Sequence, residues 1–296
     1  MLLDVVLYSG IGAEEDLLRL RMEELAGIVD RLVVIEGSHT FSGIPRAPLL
    51  SRERIREIGG RHAPPLVDHL TVLLPHQPGV RPSTRDDYQR DQGLTDALYP
   101  DGPYTPDDRD LLLLGDVDEI PRADLVVSAM SRVREHESVI RFVQRQYWYY
   151  LDCRHPELWY GTQLLTARRF REHYAALWSE CRADLGGVWF DAEHETGPGM
   201  AGWHFTYQGG ADAVREKLES AAHPEFNTEE IRGSIEHCIE RHYDFRETQE
   251  EGLHVIETLD ELPWSVAADP ARWAHLLSPE RRKTAEEVSA LLGVAE

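Results

Sequence analysis

Three carboxylates fall within four positions in Gly115-Asp116-Val117-Asp118-Glu119-Ile120-Pro121, directly after the apolar run Leu111-Leu112-Leu113-Leu114. The run reads as a buried strand, and Pro121 stops it. Carboxylates crowded at the end of a buried strand repel one another unless a cation or a donor sits among them. Oxygen ligands of this kind suit Mg²⁺ or Mn²⁺, held through one or two carboxylates and shared with a substrate phosphate. A solvated turn is the plainer alternative, with Pro121-Arg122 opening the next helix at its favoured first position. An aspartyl-phosphate phosphohydrolase would want Thr or Val two places after the second Asp, near the first strand. Here Ile120 holds that place, deep in the chain.

Elements with defined spacing must position this motif. Residues 2–8 read as a first strand ending at Ser9-Gly10, and 14–27 as a helix with apolar residues at helical spacing. Residues 31–36 form a second buried strand, 69–74 a third, 84–98 a helix, and the acidic motif ends the fourth strand. This alternation predicts an α/β fold with a mostly parallel central sheet flanked by helices. Ligands of such sheets sit outside the carboxyl ends of the strands. Ser9, Glu36 and the acidic motif all occupy that position. Arg90 and Arg85 lie on the helix before the motif. They either belong to a solvated face or pair with phosphate and the acidic cluster, since guanidinium forks suit both.

The second half is richer in β and aromatic residues, notably Tyr147-Trp148-Tyr149-Tyr150. Helix resumes near 211–221, 228–241 and 270–292, giving a helical C-terminal tail. We read 1–296 as a single domain, with a nucleotide-binding half to about residue 125 and an acceptor-side half beyond it. His204 lies in the apolar segment Ala201 to Tyr207, where a histidine is either core or a late metal ligand. Gly202 permits close backbone approach there. Trp203 either walls a sugar or is plain core.

The formal charge of −22 argues against nucleic acid, which needs a basic surface to displace counterions. It equally disfavours an anionic membrane surface. Only Lys217 and Lys283 are lysines among 31 basic residues. The three scattered cysteines show neither a zinc pattern nor a disulfide framework, which fits a reducing cytoplasm. No signal peptide or membrane-length apolar run is evident.

Several segments together resemble glycosyltransferase family 17. They are Glu15-Asp16-Leu17-Leu18 with Arg21-Met22-Glu23-Glu24-Leu25, Val29-Asp30 through Val34-Ile35-Glu36, and Thr40-Phe41-Ser42-Gly43 with Pro45. Next come Gln89-Arg90-Asp91-Gln92-Gly93, Asp116 to Arg122, Gly202-Trp203-His204-Phe205, and Lys217-Leu218-Glu219-Ser220 with His223. The resemblance implies a GT-A type fold, a UDP-sugar donor (UDP-GlcNAc in the characterised members), a divalent metal and inversion at the anomeric carbon. The animal members carry an N-terminal membrane anchor that this sequence lacks, so their acceptor is not carried over.

Within that frame Asp118 is the metal ligand on the diphosphate, where it would stabilise charge on the leaving group. Asp116 contacts the ribose or donor sugar, or shares the metal, and His204 completes its shell. Glu119 orients Asp118 or caps the following helix. Ser9, Glu36, Arg90 and Trp203 border the donor. An inverting transfer also needs a general base opposite the leaving group. The acidic loop Asp191-Ala192-Glu193-His194-Glu195 offers Glu193 first and Asp191 next, with Glu119 behind them. The rivals are another nucleotide-sugar chemistry and a carbohydrate-binding protein without transfer activity. A nucleotidyltransferase would show a longer, basic phosphate loop than Ser9-Gly10-Ile11-Gly12.

Overall fold

The computed structural model of the chain describes residues 1–98, 104–184, 188–190, 200–220, 222–246 and 252–282. At its centre lie β1 (Leu2–Tyr8), β2 (Arg31–Gly37), β3 (Leu66–Val72) and β4 (Leu111–Asp116). β1 pairs in parallel with both β2 and β4, and β2 pairs in parallel with β3. Being enclosed on both edges and both faces, β1 is buried at all seven positions, which is why its sequence shows no polar alternation. Its odd positions Leu3, Val5 and Leu7 pack on α3 (Pro82–Leu98) through Leu94, Ala97 and Leu98. Its even positions Val6 and Tyr8 pack on α1 (Glu14–Glu24) and α2 (Arg52–Gly59) through Leu18, Met22, Ile55 and Ile58. Each such buried side chain contributes about 1.5–3 kcal/mol.

The sheet is mixed. β9 (Gln163–Thr166) runs antiparallel between β4 and β6 (Ile140–Phe142), and β10 (Val188–Phe190) runs parallel to β6 at the edge. The seven strands lie in the order β10-β6-β9-β4-β1-β2-β3. The expectation of a mostly parallel sheet therefore holds, with β9 the strand that runs against its neighbours. A second sheet has the order β12-β8-β7-β11-β5. It is built from β5 (Glu119–Pro121), β7 (Gln144–Trp148), β8 (Cys153–Trp159), β11 (Gly202–Thr206) and β12 (His254–Val255). β5 follows β4 at once, so the acidic motif is the corner where the chain passes from one sheet to the other.

Helix α4 (Ala123–His136) covers β4, β6 and β9 through Leu125, Val126, Ala129 and Val133. Helices α5 (Ala167–Tyr174) and α6 (Trp178–Ala183) close the α3 side through Phe170 and Trp178. Helices α7 (Ala211–Ser220) and α8 (Glu229–Arg241) pack on Trp148, Tyr149 and Cys153, and α9 (Trp264–Ala268) follows. Thr228 starts α8 by accepting from the Ile231 amide.

Three expectations shift. β3 starts at Leu66, three residues before the expected His69. Pro121 ends β5 instead of opening α4, whose flanking residue is Arg122. The stretch from 270 is turn and 3₁₀ helix (Ala274–Leu276) up to 278, with a helical turn only from 279. Among the described residues no helix is long and apolar enough to cross a membrane.

Candidate active site

The site begins with a buried ion pair beneath the sheet corner. Arg21 of α1 is fully enclosed and forks onto Asp4 of β1 at 2.6 and 2.8 Å. Its remaining Nη1 donates to the Glu119 carbonyl at 2.5 Å. The pair fixes the backbone of the β4–β5 turn from below, and that turn aims the three acidic side chains.

Glu119 is wholly buried. Its carboxylate accepts from Trp159 Nε1 (2.6 Å), from both terminal nitrogens of Arg182 (2.6 and 3.2 Å) and from the Asp116 amide (2.9 Å). No lone pair is left over for an acceptor proton. Glu119 is thus a positioning residue, contrary to the expectation of a base. Asp116 is gripped by Arg90 at 2.6 and 3.1 Å and by Arg182 at 3.3 Å. Burial opposes its ionisation, but the two guanidiniums outweigh it and hold the carboxyl well below the usual carboxylate range. Three guanidinium contacts thus fall on the two Asp116 oxygens, one on Oδ1 and two on Oδ2.

Asp118 is different. Its Oδ2 lies 3.1 Å from Lys217 Nζ and 3.7 Å from His204 Nε2. Trp159 stacks on the His204 ring at 4.4 Å. Burial pushes the His204 imidazole down against the pull of Asp118 and Glu119, favouring the neutral form that ligates metals. Its Nδ1 is buried with no hydrogen-bond partner. The other ring nitrogen, Nε2, faces Asp118 and the cavity, where a neutral imidazole could offer its lone pair to a cation. Among the described residues no three His, Cys, Asp or Glu side chains cluster as a closed metal cage. Asp118 and His204 are a carboxylate and an imidazole of the kind that could hold Mg²⁺ or Mn²⁺ at an open site completed by other oxygen ligands. The donor set fits such an ion.

These groups line a cavity of about 430 Å³ outside the carboxyl ends of β1, β2 and β4. Ser9, Arg90, Asp116, Asp118 and His204 reach it as expected. So do His39, Thr40, Phe41 and Arg46 of the loop after β2, and Trp148, Tyr207, Phe226 and Arg246 on the far side. Arg46, Arg90, Arg182, Lys217 and Arg246 face Asp86, Asp116 and Asp118 there. Five cations thus gather at one cavity in a chain of net charge −22, four of them paired with carboxylates.

Two expected donor contacts lie elsewhere. Glu36 is fully buried and accepts from His69 Nε2 (2.5 Å) and the amides of Leu49 and Leu50 (3.1 and 3.0 Å). It staples the loop that borders the cavity and does not touch the cavity itself. Trp203 points to the opposite face of β11, donates to the Glu261 carbonyl at 2.6 Å and lines a second cavity. Alternation along the strand requires this, because His204 and Thr206 face the site. Gly202 does allow close approach, since a Cβ there would meet the Ile120 carbonyl and Pro121. Asp191 and Glu193 fall outside the described residues.

Arg182 is the residue that sequence reasoning missed. It sits on a six-residue helix without a motif of its own. Ser179 of that helix is held by Asp91 at 2.6 and 2.8 Å, and Arg141 donates to the Cys181 carbonyl at 2.7 Å. Lys217 was visible only as part of a segment shared with a family.

The chain belongs to glycosyltransferase family 17, whose sequence profile matches residues 1–173. It is therefore a glycosyltransferase by family, and sugar donor and acceptor are its substrates. No curated protein matches the chain. Among solved structures, 4-diphosphocytidyl-2C-methyl-D-erythritol synthase from Anaerococcus prevotii DSM 20548 aligns over 81% of this chain and 99% of its own, at 10% identity and a TM-score of 0.33.

Proposed function

We propose that the protein is a metal-assisted inverting glycosyltransferase of GT-A type that moves N-acetylglucosamine, or a related hexosamine, from a UDP-sugar to a hydroxyl acceptor. The observation that carries this reading is the division of labour in the acidic motif. Asp116 and Glu119 are tied to arginines, whereas Asp118 and His204 face one point at the strand ends with the flexible Lys217 as their neighbour. Mg²⁺ or Mn²⁺ on those two residues would neutralise the charge that develops on the leaving diphosphate.

The chain's own groups supply the rest. Arg90 and Arg182 hold Asp116 ionised and oriented, so that its rim accepts hydrogen bonds from the donor's hydroxyls. Trp159, anchored by Glu119, fixes the His204 ring. In the transfer, an acceptor oxygen bonds to the anomeric carbon as the bond from that carbon to the diphosphate oxygen breaks. The bonding pair leaves with UDP, and the acceptor proton passes to a base. We assign that base to the acidic loop, Glu193 first and Asp191 second. The free, buried cysteines Cys153, Cys181 and Cys238 favour action in a reducing cytoplasm.

A panel of nucleotide sugars with Mn²⁺, read by release of nucleoside diphosphate with and without acceptors, tests the reading. UDP-GlcNAc should turn over fastest. Release only from a GDP-sugar overturns the donor. Binding of UDP-GlcNAc without release under any acceptor makes the protein a sugar-nucleotide binder.

A further inference from the structure

Lys217 sits at an unusual place for a positive charge. Its Nζ is 3.1 Å from Asp118 Oδ2, the same oxygen that faces His204 Nε2 at 3.7 Å. A second contact goes to Thr206 Oγ1 at 3.1 Å, and the ammonium lies 5.3 Å from the Tyr207 ring centroid. The side chain projects from α7 into the donor cavity and stays partly exposed there. An ammonium and a divalent cation cannot share one carboxylate oxygen without strong repulsion. A lysine at this spot is also informative in a chain with only two among 31 basic residues. A guanidinium fork would lock onto Asp118, whereas a compact ammonium on a flexible stem can let go.

We propose that Lys217 is the resident cation of the diphosphate subsite, holding Asp118 in the free protein and passing to the donor's diphosphate when nucleotide and metal enter. This rests on the UDP-sugar reading above. Two consequences follow. The nucleotide-free protein binds a divalent ion poorly, because Lys217 competes for Asp118. UDP retains a metal-independent share of its affinity, because one cation of the subsite is built in.

The test measures Mn²⁺ binding to the nucleotide-free protein by electron paramagnetic resonance, and UDP binding by calorimetry in EDTA. Lys217→Met and Lys217→Gln are compared with the native chain, with thermal melting to confirm folding. Gln keeps a polar contact to Asp118 and Thr206 without the charge. Both variants should bind Mn²⁺ about tenfold more tightly without nucleotide and UDP about tenfold less tightly in EDTA, the scale of one charged contact. Native UDP and Mn²⁺ affinities in either folded variant overturn the proposal while leaving the UDP-sugar reading standing. A native protein that binds UDP neither in EDTA nor with Mn²⁺ overturns both.

Discussion

Arg90 and Asp116 face each other fork to fork, with nitrogen–oxygen distances of 2.6 and 3.1 Å. The pair joins α3 to the end of β4 across the mouth of the cavity. Arg182 adds a third guanidinium contact at 3.3 Å. The two guanidiniums thus tie three carboxylates together, Arg182 being shared with Glu119 and Arg90 with Asp86.

Replacing Arg90 by Lys keeps the charge and loses the fork. A point charge cannot hold both Asp116 oxygens in one plane. We expect kcat/KM for UDP-GlcNAc to fall by roughly tenfold to a hundredfold, the scale of one misplaced positioning contact. Steady-state kinetics at saturating metal decide it. Unchanged kcat/KM would show that the fork does not orient the donor.

The sequence displayed its strands better than its site. β1 and β4 were legible because a strand buried on both faces is an unbroken apolar run, and the acidic motif was legible because it ends one. Arg182 was not. It reaches Glu119 and Asp116 through the tertiary fold from a short helix that has no periodicity to announce it. Glu36 was misread because a carboxylate at a strand end looks alike whether it meets a ligand or a returning loop. Trp203 was open to correction from the sequence alone, since one strand cannot send neighbours Trp203 and His204 to the same face.

The metal assignment separates Asp118 from Asp116. Asp118→Asn and His204→Gln each remove one proposed ligand of an open site. We expect metal-dependent UDP binding to weaken and turnover to fall by about 10²-fold or more. Asp116→Asn should lose turnover while Mn²⁺ still enhances UDP affinity, because that carboxylate is engaged by arginine. Titration of UDP with and without Mn²⁺ distinguishes the two. Equal loss of the Mn²⁺ effect in Asp116→Asn would make Asp116 a ligand after all.

Asp116 also makes stability depend on pH. Its carboxyl is held below its unfolded value of about 3.9. The ion pairs therefore contribute fully above roughly pH 5, and their contribution drains as pH falls through 4 toward the native value. In that window the unfolded chain takes up a proton that the native site refuses. Urea midpoints between pH 6 and about pH 3 should fall less steeply for Asp116→Asn than for the native chain. Parallel slopes would show that Asp116 is not the group that titrates.

The last prediction concerns Gly161, whose backbone passes directly over the Glu119 carboxylate. A Cβ at this position would overlap the carboxyl carbon and both its oxygens. Glu119 can give way only by breaking its bonds, for it is fully enclosed and held by Trp159, Arg182 and the Asp116 amide. Gly161→Ala should therefore displace Glu119 and release both Arg182 and Trp159. Trp159 then no longer fixes the ring of His204, 4.4 Å away. A shift of this kind in supporting groups costs about 10²-fold in rate. Combining Gly161→Ala with Glu119→Asp shortens the acid by one methylene and restores room for the new methyl. The double variant should recover part of the turnover lost in Gly161→Ala, although Glu119→Asp alone weakens the native site. Such opposite signs in a double-mutant cycle show that the two positions are coupled. Additive losses would place the function of Gly161 elsewhere than in its contact with Glu119.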